Sequence, residues 1–155
     1  MRKVILIICT VLMLVGCSGR SYEDVAKKWV EYTFYGEKEK VFTELACEQF
    51  KEWNFATEEL YQKAIDYQTT SGDEEYAKYQ ADGITYKYKS LEVVLEYSKE
   101  QLEQFNKYYD KNYSDLKHVK VYYEEYQNEQ LLQEHNRILI LVKEKGSWYF
   151  LKYGY

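Results

Sequence analysis

The spacing of hydrophobic positions changes about half-way along the chain. Before residue 82 they recur at helical spacing, as in Val25, Trp29 and Tyr32, whereas from residue 84 onward most of them alternate with polar positions. Helices that come first, followed by strands around one further helix, are typical of an α+β domain with an antiparallel sheet. We therefore predict N-terminal helices packed against such a sheet.

Three helices are predicted in the first half. The first begins at the capping-box pattern "SYED" after Arg20 and ends at Gly36, which can adopt a left-handed conformation. The second is a single helix whose apolar stripe runs from Val41 to Trp53. The third is capped by Thr57 and broken at "TTSGDEE". Its predicted buried face is Leu60, Tyr61, Ala64 and Ile65.

In the first predicted strand, "ITYKYKSLEVVLEYS", the apolar positions change from even to odd numbers part-way along. Tyr86 and Tyr88 occupy even-numbered positions, whereas the apolar residues from Leu91 onward fall on odd-numbered ones. A straight strand cannot turn both sets to one face, so either a bulge near Lys89-Ser90 resets the register or two strands meet there. We favour the bulge, which would bend the sheet strongly.

One helix and three strands are predicted after this strand. The helix begins at the Ser98 capping box and carries Leu102, Phe105 and Tyr109 on one face. "HVKVYYEEY" alternates as a half-buried strand. The continuously apolar 138–142 predicts a central strand covered on both faces, followed by a hairpin turn at residues 145–146 and a closing strand.

The N-terminus has the organisation of a signal peptide. Arg2 and Lys3 precede Val4–Val15, a run of about 12 mostly apolar residues that is too short to span a membrane comfortably. The run ends in Leu14-Val15-Gly16-Cys17, which resembles the lipobox of bacterial lipoproteins. The resemblance implies cleavage between Gly16 and Cys17 and a diacylglycerol on the Cys17 thiol; the alternative is an uncleaved anchor helix with an incidental cysteine.

This resemblance also implies where the protein is found. A lipid on Cys17 would hold the domain at the extracytoplasmic face of the cell membrane. Only a few residues separate Cys17 from the first helix, so the domain is expected close to the bilayer. The implied organisation is a signal peptide (1–16), a lipidated cysteine with a short tether (17–21) and one α+β domain (22–155).

Charge and cysteine content argue against nucleic-acid binding and against a reactive cysteine. The chain carries a formal net charge of -5, which becomes -7 once the two positive charges of Arg2 and Lys3 are removed, so we expect no nucleic-acid partner. Of the three cysteines, Cys9 lies in the signal peptide. Cys47 would be the only free thiol of the mature domain, and its apolar surroundings indicate a buried, inert side chain.

Both ends of the predicted domain resemble a known fold. "YEDVAKKWVEYTFYGEKEKVFTELA" and "RILILVKEKGSWYFLKYGY" resemble the nuclear-transport-factor-2-like (cystatin-like) fold of small Gram-positive lipoproteins of unknown function. This resemblance implies a cone-like arrangement of helices over a strongly bent sheet. The helix after Ser98 departs from the usual strand order of that fold.

No constellation for catalysis or metal binding is recognised. The two histidines, His118 and His135, have no nucleophile motif or metal-ligand spacing near them, and the acidic runs 73–75 and 124–125 are interpreted as solvated charge. We therefore predict no catalytic residue, no metal and no cofactor. The alternative is a pocket enzyme of the cone fold in which Tyr86 or Tyr123 would donate a proton.

Tyrosine content gives the positive indication of function. The chain has 19 tyrosines, more than one buried face accommodates, and outward tyrosines make good contact surfaces. They could equally serve as strand formers that tolerate water. We expect a non-catalytic binding module that meets a protein, peptide or cell-wall ligand, with Tyr86 and Tyr123 as candidate contacts. An alternative is an immunity lipoprotein that sequesters cationic antimicrobial peptides.

Overall fold

A computed structural model of the chain describes residues 19–154. Helices come first, and a sheet interrupted by one further helix follows. The elements are α1 (Tyr22–Phe34), a π-helical turn (Val41–Leu45), α2 (Glu48–Asn54), α3 (Glu58–Ala81), β1 (Ile84–Glu96), α4 (Lys99–Tyr109), β2 (Asp115–Gln127), β3 (Gln130–Glu144) and β4 (Ser147–Tyr153). The predicted α+β class is confirmed.

The four strands form one antiparallel sheet in the order β1-β2-β3-β4. Alternation along β2 divides its side chains between two faces. We call the side of Val119, Val121 and Tyr123 the α1 face, because helix α1 packs there. We call the side of Leu116 and His118 the α4 face.

Most of the core lies on the α1 face. Helix α1 begins at the predicted capping box, in which the Ser21 hydroxyl accepts the amide proton of Asp24, and it ends before Gly36, whose φ is +82°. Fully or nearly fully buried side chains fill the space between helices and sheet. They include Val25, Trp29, Val30, Leu45, Val119, Val121, Leu139, Leu141 and Phe150.

The free edge of β4 is covered by the segment predicted as the second helix. That segment is not one helix: a π-helical turn ends at Leu45, and Ala46 and Cys47 are extended before α2 begins. Ala46 bridges to Phe150, and the Cys47 amide donates to the Phe150 carbonyl at 2.9 Å. Pairing with a strand edge outweighs helical periodicity here, because the edge would otherwise expose unpaired backbone groups.

Helix α3 runs unbroken through the predicted break at "TTSGDEE". Gly72 is buried within it, and its Cα approaches the backbone of Gly36 closely enough that a Cβ would lie 3.4 Å from the Gly36 oxygen. An ion pair of 2.5 Å between Lys38 and Glu75 fixes the same region. Tyr61 is buried as predicted, but Leu60 is 47% exposed, so the predicted buried face is only partly right.

The predicted bulge in β1 is confirmed. Tyr88 pairs with Tyr123 and Ser90 with Tyr122, which leaves Lys89 as the extra residue. Further register shifts occur between Val93 and Leu95 in the same strand pair, and in the β2–β3 and β3–β4 pairs. Each bulge raises the local twist and bends its strand. This agrees with the prediction of a strongly bent sheet.

Helix α4 lies on the opposite face of the sheet from α1. It starts at the predicted Ser98 capping box, and Phe105 packs against Tyr97 and Tyr113. No residue of Lys99–Tyr109 is fully buried. The helix that departs from the usual order therefore forms a partial third layer beyond the sheet.

The chain before α1 is held against the start of β4. The Trp148 amide donates to the Arg20 carbonyl at 2.9 Å, and the Arg20 guanidinium donates to the Glu44 carbonyl at 2.6 Å. Gly19 packs so closely on Gly146 that a Cβ would lie 2.1 Å from its oxygen. The first described residues thus sit at the β3–β4 turn, at the N-terminal end of α1.

Candidate functional site

The two tyrosines predicted as ligand contacts lie side by side on the α1 face. Tyr86 is on β1 and Tyr123 on β2, and their ring centroids are 6.3 Å apart. Phe34, at the C-terminal end of α1, stacks on Tyr86 at 4.0 Å and contacts Tyr123 at 5.1 Å. The bulge at Lys89 is what turns Tyr86 and Tyr88 to the same face as the apolar residues that follow.

Tyr86 lines a groove between α1 and β1, but Tyr123 does not. The groove has a volume of about 540 Å³, within the range of small-ligand sites. Tyr123 lies behind it, enclosed by Trp29, Phe34, Tyr86 and His135. Tyr86 is therefore placed for ligand contact, and Tyr123 supports its ring. The groove is lined by Lys27, Val30, Glu31, Tyr35, Glu37, Tyr86 and Tyr88.

The tyrosine walls of the groove are fixed by neighbouring groups. The Tyr35 hydroxyl donates to the Tyr86 carbonyl at 2.6 Å, which ties the end of α1 to the outer edge of β1. Lys27 places its ammonium 5.7 Å from the centre of the Tyr88 ring. The groove thus combines flat aromatic surface with one cation and two carboxylates, those of Glu31 and Glu37.

A histidine–carboxylate pair stands next to the two tyrosines. His135 Nε2 lies 2.7 Å from Glu125 Oε2, and the His135 ring stacks on Tyr123 at 5.3 Å. From the sequence, His135 has no nucleophile motif or metal-ligand spacing near it, and Glu125 is interpreted as solvated charge. Both lie within paired strands, at half-buried positions on the α1 face. Extension of the period-2 pattern of β2 past Tyr123 would have placed Glu125 on this face, whereas the position of His135 depends on the register of β3.

Burial shifts the tyrosine ionisations in this cluster. The pKa of Tyr86 is raised well above its ordinary value, first by burial and then by the negative charge of Glu125. Burial likewise raises the pKa of Tyr123, against the opposing effect of Arg137. Both hydroxyls are therefore neutral near pH 7 and can donate hydrogen bonds.

The remaining predicted positions are distributed as follows. Cys47 is buried beside Tyr113 and Gln49, and burial raises the pKa of its thiol, as expected for an inert cysteine. Gly16 and Cys17, the predicted cleavage and lipidation positions, lie outside the described residues. Within residues 19–154, no group of three or more potential metal ligands is gathered, and no helix is long and apolar enough to cross a bilayer.

Comparison with known proteins adds little to this description. No family model and no curated protein matches the chain. A crystal structure of a Campylobacter jejuni protein described as an NTF2-like transpeptidase matches with 17% identity and a TM-score of 0.44, over 84% of this chain and 96% of that chain. The α+β class rests on the helices and strands themselves.

Proposed function

We propose that this protein is a lipid-anchored bacterial lipoprotein, of the Gram-positive type, whose extracytoplasmic domain binds a ligand without transforming it. The groove lined by Tyr35, Tyr86 and Tyr88 carries the proposal. Its rings offer rigid amphipathic surface, and its charged groups can orient a polar ligand. A cell-wall glycan suits this chemistry, because sugar rings combine apolar C–H faces with hydroxyl edges.

The position of the groove supports this use. Gly19 and Arg20 are packed against the β3–β4 turn, so an anchor on Cys17 would hold this end of the domain within about 7 Å of the lipidated residue. Helix α1 has 13 residues and is ~20 Å long. The groove runs from the middle of this helix, at Lys27, to its far end beside Tyr35. A domain anchored in this way presents the groove away from the bilayer.

Binding is favoured over catalysis by the placement of the acid–base groups. His135 and Glu125 form the pair best suited to proton transfer, yet neither is among the described residues that line the groove. They lie behind the ring of Tyr86, whose centroid is 6.3 Å from that of His135. In this position they support the aromatic wall, which gives the half-buried polar pair a role that needs no reaction.

Binding by the groove is tested with a defined glycan probe. Tetra-N-acetylglucosamine is titrated into the full chain reconstituted in nanodiscs, and affinity is measured by calorimetry. Tyr88→Ala, which removes one wall, is expected to weaken binding at least tenfold. Tyr108→Ala removes a tyrosine that is 81% exposed on α4 and serves as the matched control. Equal affinities for both variants, or no binding by the unaltered chain, would contradict the glycan assignment.

The anchor is tested separately. Cys17→Ala is expected to leave an unprocessed precursor in the membrane that incorporates no lipid label. Cys47→Ala is the matched control, because it removes the other cysteine of the predicted mature chain and should leave labelling intact. Label retained in the Cys17→Ala variant would refute the assignment.

Capture of cationic antimicrobial peptides is a second candidate function. Glu31 and Glu37 outnumber Lys27 among the charged groups of the groove, and the chain as a whole is acidic. A deletion strain is expected to become more sensitive to such peptides. Unchanged sensitivity would remove this candidate.

A pocket enzyme is the third candidate, and the His135–Glu125 pair is the observation that favours it. A histidine oriented by a carboxylate beside neutral tyrosine donors is suited to general acid–base work. Tyr86→Phe should then abolish turnover. The absence of turnover across a panel of small hydrophobic substrates would argue against this candidate.

A further inference from the structure

A second cavity, of about 440 Å³, lies between α4 and the sheet. It is on the opposite face from the groove and shares no lining residue with it. Its walls are predominantly aromatic and aliphatic. The lining residues are Tyr97, Phe105, Tyr109, Leu116, His118, Ile140, Leu151, Lys152 and Gly154.

The charged groups of this cavity have one sign. Among the described residues that line it, Lys152 is the cation and His118 is a second base, and none is a carboxylate. This contrasts with the net charge of -5 on the chain. Backbone pairing puts them in one row across the sheet, with His118 opposite Ile140 and Ile140 opposite Lys152. Two strand spacings separate them, about 10 Å.

We propose that this cavity binds a small amphipathic anion, a carboxylate on a medium-length hydrocarbon chain. The hydrocarbon would occupy the space beneath Phe105 and Leu151, and the carboxylate would lie towards Lys152. The Lys152 ammonium is 5.5 Å from the centre of the Trp53 ring, which itself contacts Tyr109 at 4.9 Å. These contacts fix the cation at one end of an apolar space.

Helix α4 gives such a ligand a way in. Its inner side chains, including Leu102, Phe105 and Tyr109, are only half-buried, and no residue of the helix is fully buried. Few buried apolar contacts hold its first turns, so little free energy opposes a local displacement there. Its C-terminal end is held by two hydrogen bonds between the Asn106 side chain and the backbone of Tyr113. The cavity can therefore open at the N-terminal end of the helix without disruption of the core on the α1 face.

His118 provides a reporter within the cavity. Burial and the charge of Lys152 lower its pKa, so it is neutral at pH 7 in the empty site. Its Nε2 is 3.5 Å from the Tyr97 hydroxyl, and its cross-strand neighbours Leu95 and Ile140 are uncharged. A bound carboxylate adds a negative charge to these surroundings and should raise the pKa of His118.

The test uses the full chain in phosphatidylcholine nanodiscs with isotopically labelled histidine. His118 and His135 are the only two histidines, so His135 is an internal control on the other face of the sheet. Decanoate, decanol and decylamine are titrated in turn, and the NMR signals of both rings are followed against pH. Decanoate should raise the pKa of His118 by about half a unit or more and leave His135 unchanged; decanol should bind at least fivefold more weakly.

Matched charge variants complete the test. Lys152→Gln and Lys152→Glu should weaken decanoate binding at least fivefold, whereas Lys145→Glu, at the β3–β4 turn, should change it less than twofold. Circular dichroism confirms that each variant is folded. Three results would overturn the proposal: no response of His118 to decanoate, equal affinity for decanol or decylamine, and equal effects at Lys152 and Lys145. None of them bears on the groove beside α1.

Discussion

Truncation of Tyr86 separates the structural role of its ring from the role of its hydroxyl. The ring stacks on Phe34 at 4.0 Å with an interplanar angle of 18°, and it meets Tyr79 edge-on at 5.3 Å. Removal of a fully buried aromatic ring costs about 3–5 kcal/mol, and Tyr86 is half-buried, so about half of that applies. The lost stack adds about 1 kcal/mol. We expect Tyr86→Ala to lower the free energy of unfolding by about 2.5–3.5 kcal/mol.

Tyr86→Phe keeps the ring and both aromatic contacts. Loss of the hydroxyl alone should cost less than about 1 kcal/mol. Urea denaturation followed by circular dichroism measures the stability of both variants. Tyr108→Ala is the exposed control and should change the free energy of unfolding by less than about 0.5 kcal/mol, as is usual for surface substitutions. If Tyr86→Ala destabilises no more than Tyr86→Phe, the stacked wall described above is refuted. If the phenylalanine variant is folded but binds ligand poorly, the hydroxyl contacts the ligand.

Three further predictions concern stability and reactivity. Gly72→Ala should raise the free energy of unfolding, measured in urea, by about 0.5–1 kcal/mol. It removes a glycine from the middle of α3, and the new Cβ meets only ordinary contacts. Destabilisation would show that the contact with Gly36 is tighter than described. Cys47 should react with a thiol reagent only as fast as the protein unfolds, and rapid labelling of the folded domain would contradict its burial. Burial and a hydrogen bond to Glu44 raise the pKa of Tyr32 to about 12. The unfolded chain therefore ionises first, and the free energy of unfolding should fall as pH rises from about 10 towards 12. Tyr32→Phe should show a shallower loss of stability, and identical pH profiles for the two proteins would refute this contribution.

Local signals explain why much of the fold could be predicted from sequence. The Ser21 and Ser98 capping boxes act within four residues, so each helix start is encoded where it occurs. The bulge at Lys89 is visible because one strand cannot keep two opposite parities of apolar residues on one face. In both cases the information and the structure lie in the same few residues.

The missed features depend on residues distant in the chain. Ala46 leaves the helical pattern because it bridges to Phe150, about a hundred positions later, and no local signal marks that pairing. Gly72 remains helical because α3 packs against the backbone of Gly36. Tertiary contact outweighs local propensity at both places.

The candidate site was predicted only in part, because some of its residues are brought together by contacts between distant parts of the chain. Tyr86 and Tyr123 were both predicted as candidate contacts, and the structure brings them together. The pairing of His135 with Glu125 requires the register of β2 against β3, in which Tyr123 stands opposite His135. That register is set by the hairpin between the strands and by the bulge near Glu125, which the sequence pattern did not indicate.

The mass of the most N-terminal peptide of the protein, extracted from its native membranes, tests the central proposal most directly. The account predicts a peptide that begins at Cys17 and carries a diacylglyceryl group on its thiol, followed by Ser18, Gly19 and Arg20. An intact peptide that spans residues 16 and 17, or an unmodified Cys17 thiol, would contradict the proposal of a lipid-anchored binding domain.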